Sequence, residues 1–212
     1  MAYRNFNLEI LEEKFGIVEI GTQIFDAKKI KRIQPSAKLI MDLEDAAIIT
    51  LSTEKAVSER LVAPILAEIG KRNDFIQIFS GEIIVGDKTQ GLNGEIDFIF
   101  SRTPWTLKPK NPLLCVTESK LGLVNKGVGQ AAAQMLGVRF FNQKHKYKDT
   151  PIHGVVTDGK TWRFLKLEDN NLFVDRTDYT TTDLPLLLGV LQEIIDFYKI
   201  RPLSINVKNT DR

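Results

Sequence analysis

Leu113-Leu114-Cys115-Val116-Thr117-Glu118-Ser119-Lys120 is the stretch that decides the fold. Four consecutive apolar residues read as a strand covered on both faces, and the polar run after them as its end. Just upstream, Leu92 to Phe100 sets Ile96, Phe98 and Phe100 against Glu95 and Asp97, the period-two pattern of a second strand. Before that, Phe75, Ile76, Ile78 and Phe79, then Ile83 to Val85, predict one or two more. Downstream, Gly127 to Asn142 predicts a helix packed through Ala131 to Ala133, Met135, Leu136 and Val138. Strands follow at Ile152 to Thr157, Trp162 to Leu167 and Leu172 to Val174, with Asp158-Gly159 as a hairpin turn. Leu184 to Tyr198 predicts a closing helix.

The N-terminal third is helical in pattern. Phe6, Leu8, Leu11 and Phe15 before Gly16 predict a short helix, and Gly21 to Lys31 is ambiguous. Ser36 is a natural N-cap for a helix carrying Leu39, Ile40, Leu43 and Ala46 to Ile48. Ser58 opens an amphipathic helix through Leu61, Val62, Ile65, Leu66 and Ile69 to Gly70, with Pro64 a local irregularity. The order of elements predicts an α/β fold in one domain, 1–212. Within it, 1–50 reads as an N-terminal helical extension, 52–167 as the core, and 168–212 as a C-terminal strand and helix.

Composition limits the function classes. With 212 residues, 43% of them apolar and 26% charged, the chain is neither disordered nor fibrous. Cys115 is the only cysteine, which excludes an intrachain disulfide. The longest apolar run, Leu184 to Leu191, is far short of the roughly 20 residues of a membrane span. Arg4, Glu9, Glu12 and Glu13 are unlike a signal peptide, so a cytoplasmic protein with no membrane partner is expected. Net charge is only +2, yet 102–148 holds nine Lys and Arg against the single acid Glu118. That window is a candidate phosphate-binding face, with solvated loops and helix faces the equal alternative.

Chemistry centres on Glu118 and Lys120. Two apart on a strand, they point the same way. A neighbouring strand would bring Asp97 within roughly 5 Å. Two carboxylates at that spacing repel unless a cation lies between them, and Mg²⁺ takes such oxygen ligands. Lys120 would then act on the attacking water and on phosphoryl charge. An acid two residues before a lysine occurs four times in the chain, about as often as chance gives, but only Glu118-Ser119-Lys120 ends an apolar strand.

The pattern resembles the PD-(D/E)XK nuclease superfamily, with its restriction-endonuclease-like fold. The matching residues are Glu59 on the helix before the sheet, Gly94-Glu95-Ile96-Asp97, Glu118-Ser119-Lys120, and Gln130 on the next helix. The likeness covers roughly Ser58 to Leu167. It also extends to a group of uncharacterised bacterial, often cyanobacterial, members through Pro35-Ser36, Ser52-Thr53-Glu54-Lys55, Ser58-Glu59 and the Gly154 to Phe164 hairpin. Ile96 stands where a proline often precedes the aspartate. The resemblance implies a mixed central β-sheet flanked by helices in α-β-β-β-α-β order. It further implies Mg²⁺ or Mn²⁺ held by Asp97, Glu118, the Ser119 backbone carbonyl and, through water, Glu59, with Glu59 and Gln130 supporting the site.

Each residue has a plainer reading. Glu59 also suits a helix first turn, and Lys120 could simply pair with Glu118. Gln130 and Gln134 share a helical face, and Gln130 is favoured as the supporting amide because it is nearer the strand in sequence. Cys115 reads as an inert core thiol. His145 and His153 lack zinc-ligand spacing. Trp105 is expected to cap the core, with nucleic-acid contact the alternative. Arg102, Lys108, Lys110, Lys126, Lys144 and Lys146 are the candidate nucleic-acid contacts. The expected function is a metal-dependent DNA endonuclease, with a homodimer expected by analogy because cutting both strands usually calls for two sites. The alternative is a catalytically weak or inactive nucleic-acid-binding or regulatory protein on the same fold; its mark would be a lost acid or lysine, and none is lost. DNA or RNA, one metal or two, and restriction, repair or mobile-element roles stay open.

Overall fold

The computed structural model describes residues 2–103, 105–120, 122, 124–147 and 151–199. Seven strands are present: β1 (Val18–Thr22), β2 (Gln77–Asp87), β3 (Leu92–Ser101), β4 (Leu113–Ser119), β5 (Ile152–Thr157), β6 (Thr161–Glu168) and β7 (Asn171–Thr180). They form one mixed sheet in the order β1-β7-β6-β5-β4-β3-β2. β4 and β5 run parallel because α5 (Val128–Lys144) carries the chain back between them. The β2–β3, β3–β4, β5–β6 and β6–β7 pairs are antiparallel, and β1 pairs parallel with β7. β5, buried at every position, lies at the centre.

α5 is apolar almost all round, so it needs cover on both sides. The sheet supplies one side through Phe79, Ile84, Ile96, Ile99, Val156 and Leu165. The other side is covered from the N-terminus: Tyr3, Phe6 and Leu11 belong to the same core. They come from a 3-10 turn (Tyr3–Asn5) and from α1 (Leu8–Phe15), which Asn7 caps by accepting from Ile10 N–H. On the opposite face α4 (Ala63–Lys71) and α6 (Leu184–Lys199) pack Ile65, Ile69, Leu187, Leu188 and Ile194 against Phe98, Phe100, Val155 and Phe164. α2 (Ala37–Ala46) is capped by Ser36, whose hydroxyl also donates to Glu68 on α4 at 2.8 Å.

The helix predicted from Ser58 begins earlier. Thr53 caps α3 (Glu54–Val57) by accepting from Ala56 N–H. The chain then widens into a π segment, Ser58–Val62, where Ala63 N–H donates to the Ser58 carbonyl five residues back. Pro64 follows at once and has no N–H to give the Arg60 carbonyl, which accounts for the break in regular α-helix there.

The extension, expected to be helical, also contributes a strand: β1 joins the sheet edge beside β7. Its sequence, Val18-Glu19-Ile20-Gly21-Thr22, is short and has no buried position, as an edge strand tolerates. β7 also runs six residues beyond the predicted Val174. Trp105 does not cap the core; it is 78% exposed, with Leu107 beside it equally open. The Cys115 side chain, expected in the core, and Lys148 of the basic window lie outside what is described. Among the described residues no helix is long and apolar enough to cross a membrane.

Candidate active site

β3 and β4 bring the predicted acids together. The ladder pairs Phe98 with Thr117, so one step further Asp97 faces Glu118. Across β2, the same register sets Gly81 opposite Asp97. Phe79 and Ile84 on β2 lie on the α5 face, as do Ile96 and Ile99 on β3. Strict alternation forbids that pairing over an odd number of steps, so both strands change face between those residues. Gly81, at φ +69°, supplies the backbone turn on β2. The irregularity leaves Asp97 at the wall of a cleft instead of in the core.

Glu118 is 2% exposed. Its Oε1 lies 2.7 Å from Lys120 Nζ, and its Oε2 accepts from Gln134 Nε2 at 2.6 Å. Lys120 Nζ is also 3.7 Å from Glu54 Oε1, and its backbone N–H donates to the Thr157 carbonyl at 2.7 Å. Burial and then repulsion by Asp97 push the Glu118 carboxyl up to about 7, against the pull of Lys120 and Gln134. For Lys120, burial alone would lower the ammonium, but contact with Glu118 and the fields of Glu54 and Asp97 outweigh it, and the net shift is upward. The pair is therefore a carboxyl that resists ionising beside a firmly held cation.

The cavity over this pair, ≈ 460 Å³, is lined by Ala2, Tyr3, Arg4, Glu54, Gly94, Glu95, Asp97, Glu118, Lys120 and Gln130. A second cleft of ≈ 400 Å³ shares Glu54, Glu95 and Asp97 with it and continues past Lys55, Ser58, Glu59, Ser80 and Gly81.

The predicted residues are distributed unevenly. Asp97, Glu118, Lys120 and Gln130 share the first cavity, and Ser119 ends β4 opposite Thr157. Glu59 lies only in the second cleft, 57% exposed and 3.8 Å from Lys55. The helix acid that reaches Lys120 is Glu54, which the sequence reading missed because it started the helix four residues too late. Thr53, an N-cap residue directly before it, was the available signal. The amide bonded to Glu118 is Gln134, not Gln130, since one more helical turn is needed to pass over the buried carboxylate. Gln134 Oε1 itself is buried with no hydrogen-bond donor among the described residues.

The donors of Asp97 and Glu118 at this cavity are carboxylate oxygens, with the orphaned Gln134 amide oxygen nearby. Among the described residues no three His, Cys, Asp or Glu converge. Two carboxylates completed by waters suit Mg²⁺, which rarely takes an all-protein cage.

The basic window divides between two ends of the sheet. Asn142, near the end of α5, bonds the Leu113 N–H and carbonyl at 2.9 and 2.7 Å. Lys144 and Lys146 therefore stand at the start of β4, with exposed Lys108 and Lys110 on the loop entering it. Five steps along β4, about 17 Å, separate that end from Glu118. Arg102 is not available as expected: its guanidinium donates to the Tyr198 carbonyl at 2.8 Å and lies over Phe75. Only Lys126, exposed just before α5, stands at the cleft end. His153, on β5, bonds the Tyr198 hydroxyl, and His145 the Phe141 carbonyl, which are structural roles. Scanned against models of known families the chain matches none, and a search of characterised proteins finds no match.

Proposed function

We propose that the chain is a metal-dependent nuclease of the PD-(D/E)XK kind, hydrolysing phosphodiester bonds of DNA in the cleft between β4, α3 and the N-terminal turn. The observation that carries this is the buried Glu118, 2.7 Å from Lys120 and facing Asp97 across the ladder. Such a pair is costly unless a cation and an anionic ligand use it. The order α3–α4, β2, β3, β4, α5, β5 supports the restriction-endonuclease-like reading of the core.

In this reading Asp97, Glu118 and the Ser119 carbonyl hold Mg²⁺ or Mn²⁺, whose chemistry is charge neutralisation at the phosphate and a water of lowered pKa. Gln134 fixes the Glu118 carboxylate so that its other oxygen faces Lys120. Lys120 holds a positive charge where the attacking water and a phosphoryl oxygen meet. Glu54 keeps that ammonium in the cleft, and Glu59 borders the onward path of the strand.

Calorimetric titration of Mg²⁺ or Mn²⁺ into wild type and Glu118→Ala, with plasmid and single-stranded DNA cleavage followed in the same samples, tests the proposal. The expected result is metal binding and cleavage in wild type and neither in the variant. Wild type that binds no metal would overturn the assignment and leave a binding or regulatory protein. Metal binding with no cleavage of either DNA would remove the nuclease claim for DNA.

A further inference from the structure

Ala2-Tyr3-Arg4-Asn5-Phe6-Asn7 is built into the molecule, not draped over it. Tyr3 is 1% exposed and Phe6 5%. The Tyr3 hydroxyl donates to the Ile84 carbonyl on β2 at 3.0 Å. Three glycines clear the space. A Cβ on Gly94 would press on the Tyr3 ring at 3.2 Å, and one on Gly137 would overlap the Tyr3 hydroxyl. One on Gly129 would come within 2.7 Å of the Asn7 backbone.

A 3-10 turn held at both ends in this way fixes what lies between. Arg4 is exposed and lines the same cavity as Asp97, Glu118 and Lys120. Lys120 is already paired with Glu118 and Glu54, whereas Arg4 has no hydrogen bond or ion pair among the described residues. A guanidinium keeps its charge at any working pH and presents a planar fork suited to two phosphate oxygens.

We infer that Arg4 grips a backbone phosphate of the nucleic-acid strand in the cleft, so that the N-terminal turn forms part of the substrate site. This rests on the nuclease reading above. The residue binds and orients substrate; the water and the metal are left to Lys120, Asp97 and Glu118.

The test is fluorescence anisotropy of a labelled DNA strand of about 12 nucleotides, and of its duplex, in EDTA and in Ca²⁺ buffer across about 50 to 200 mM salt. Cleavage with Mg²⁺ is measured in parallel. Arg4→Ala is expected to weaken binding about tenfold and to lower the salt slope by about one, with the melting temperature unchanged. Arg4→Lys should restore the slope and only part of the affinity. Gly137→Ala, which displaces Tyr3 and so the turn, should weaken binding as Arg4→Ala does. Wild-type affinity and slope in Arg4→Ala, beside a wild type that binds and cleaves, would overturn the role of Arg4 and leave the nuclease reading intact. A wild type that neither binds nor cleaves either DNA would bring down both.

Discussion

Burial and Asp97 oppose the ionised form of Glu118, and this has a thermodynamic signature. Below its ordinary value of 4.5 the carboxyl is protonated in folded and unfolded chains alike and costs nothing. Between 4.5 and about 7 the unfolded chain releases the proton and the folded chain keeps it, so stability falls as pH rises. Above about 7 the penalty is complete. Lys120, held above its ordinary 10.5, stays charged throughout this range, and its favourable contribution is constant there. Glu118→Gln, of the same shape, is therefore expected to gain about 1 kcal/mol at pH 8, or about 2–4 °C in melting temperature, without metal. The gain should vanish toward pH 4.5. Loss of stability at every pH in calorimetric melting would show that the ion pair, not its desolvation, dominates. Added Mg²⁺ should raise the melting temperature of wild type and not of the variant.

Among the elements, α5 and the turn before it set where Lys120 can go. A Cβ on Gly127 would meet Val156 Cγ1 at 2.5 Å and Lys120 Cγ at 2.9 Å. Val156 is fully buried in β5 and cannot yield, so the lysine stem must move. Gly127→Ala is expected to cost about 1–3 kcal/mol in denaturant unfolding and about 10²-fold in cleavage rate. An unchanged rate would mean that Lys120 needs no fixed position. The elements also show what a single sequence discloses. β4 was legible because an unbroken apolar run has few other readings, and α5 because alanines and Met135 pack closely. β1 was not, since the alternation of Val18 and Ile20 about Glu19 is too short to mark a strand, and only pairing with β7 makes it one. Asp97 and Glu118 could be paired from strand order alone. Glu54 and Gln134 could not, because their placement depends on where a helix starts and how far it reaches over a sheet, and a π segment or one helical turn changes both.

At the scale of the whole molecule, four exposed lysines and the Glu118 cavity lie at opposite ends of β4. Lys108, Lys110, Lys144 and Lys146 are exposed about 17 Å of strand away from Glu118, beside the open Trp105 and Leu107. On the proposed function a dinucleotide in the cleft would not reach them, and a long strand would. Changing the four lysines to Gln is therefore expected to leave cleavage of a dinucleotide unaltered. For a strand of about 30 nucleotides it should weaken binding by at least tenfold and lower the salt slope by up to about four. Equal losses on both lengths, measured by anisotropy and gel assay, would place the lysines on the substrate path at the cleft itself.

The Tyr3 hydroxyl and the Ile84 carbonyl are 81 positions apart in the chain, and Gly137 lies further on still. During synthesis Tyr3 and Arg4 are made before β2, β3 and α5, the elements against which the turn docks. The acids and the lysine can meet before that, but the wall that carries Arg4 closes only over a finished α5. A ribosome-bound fragment that stops short of α5 therefore lacks the seat that Tyr3 packs into, and Arg4 reaches its place on the cavity wall only in the finished fold.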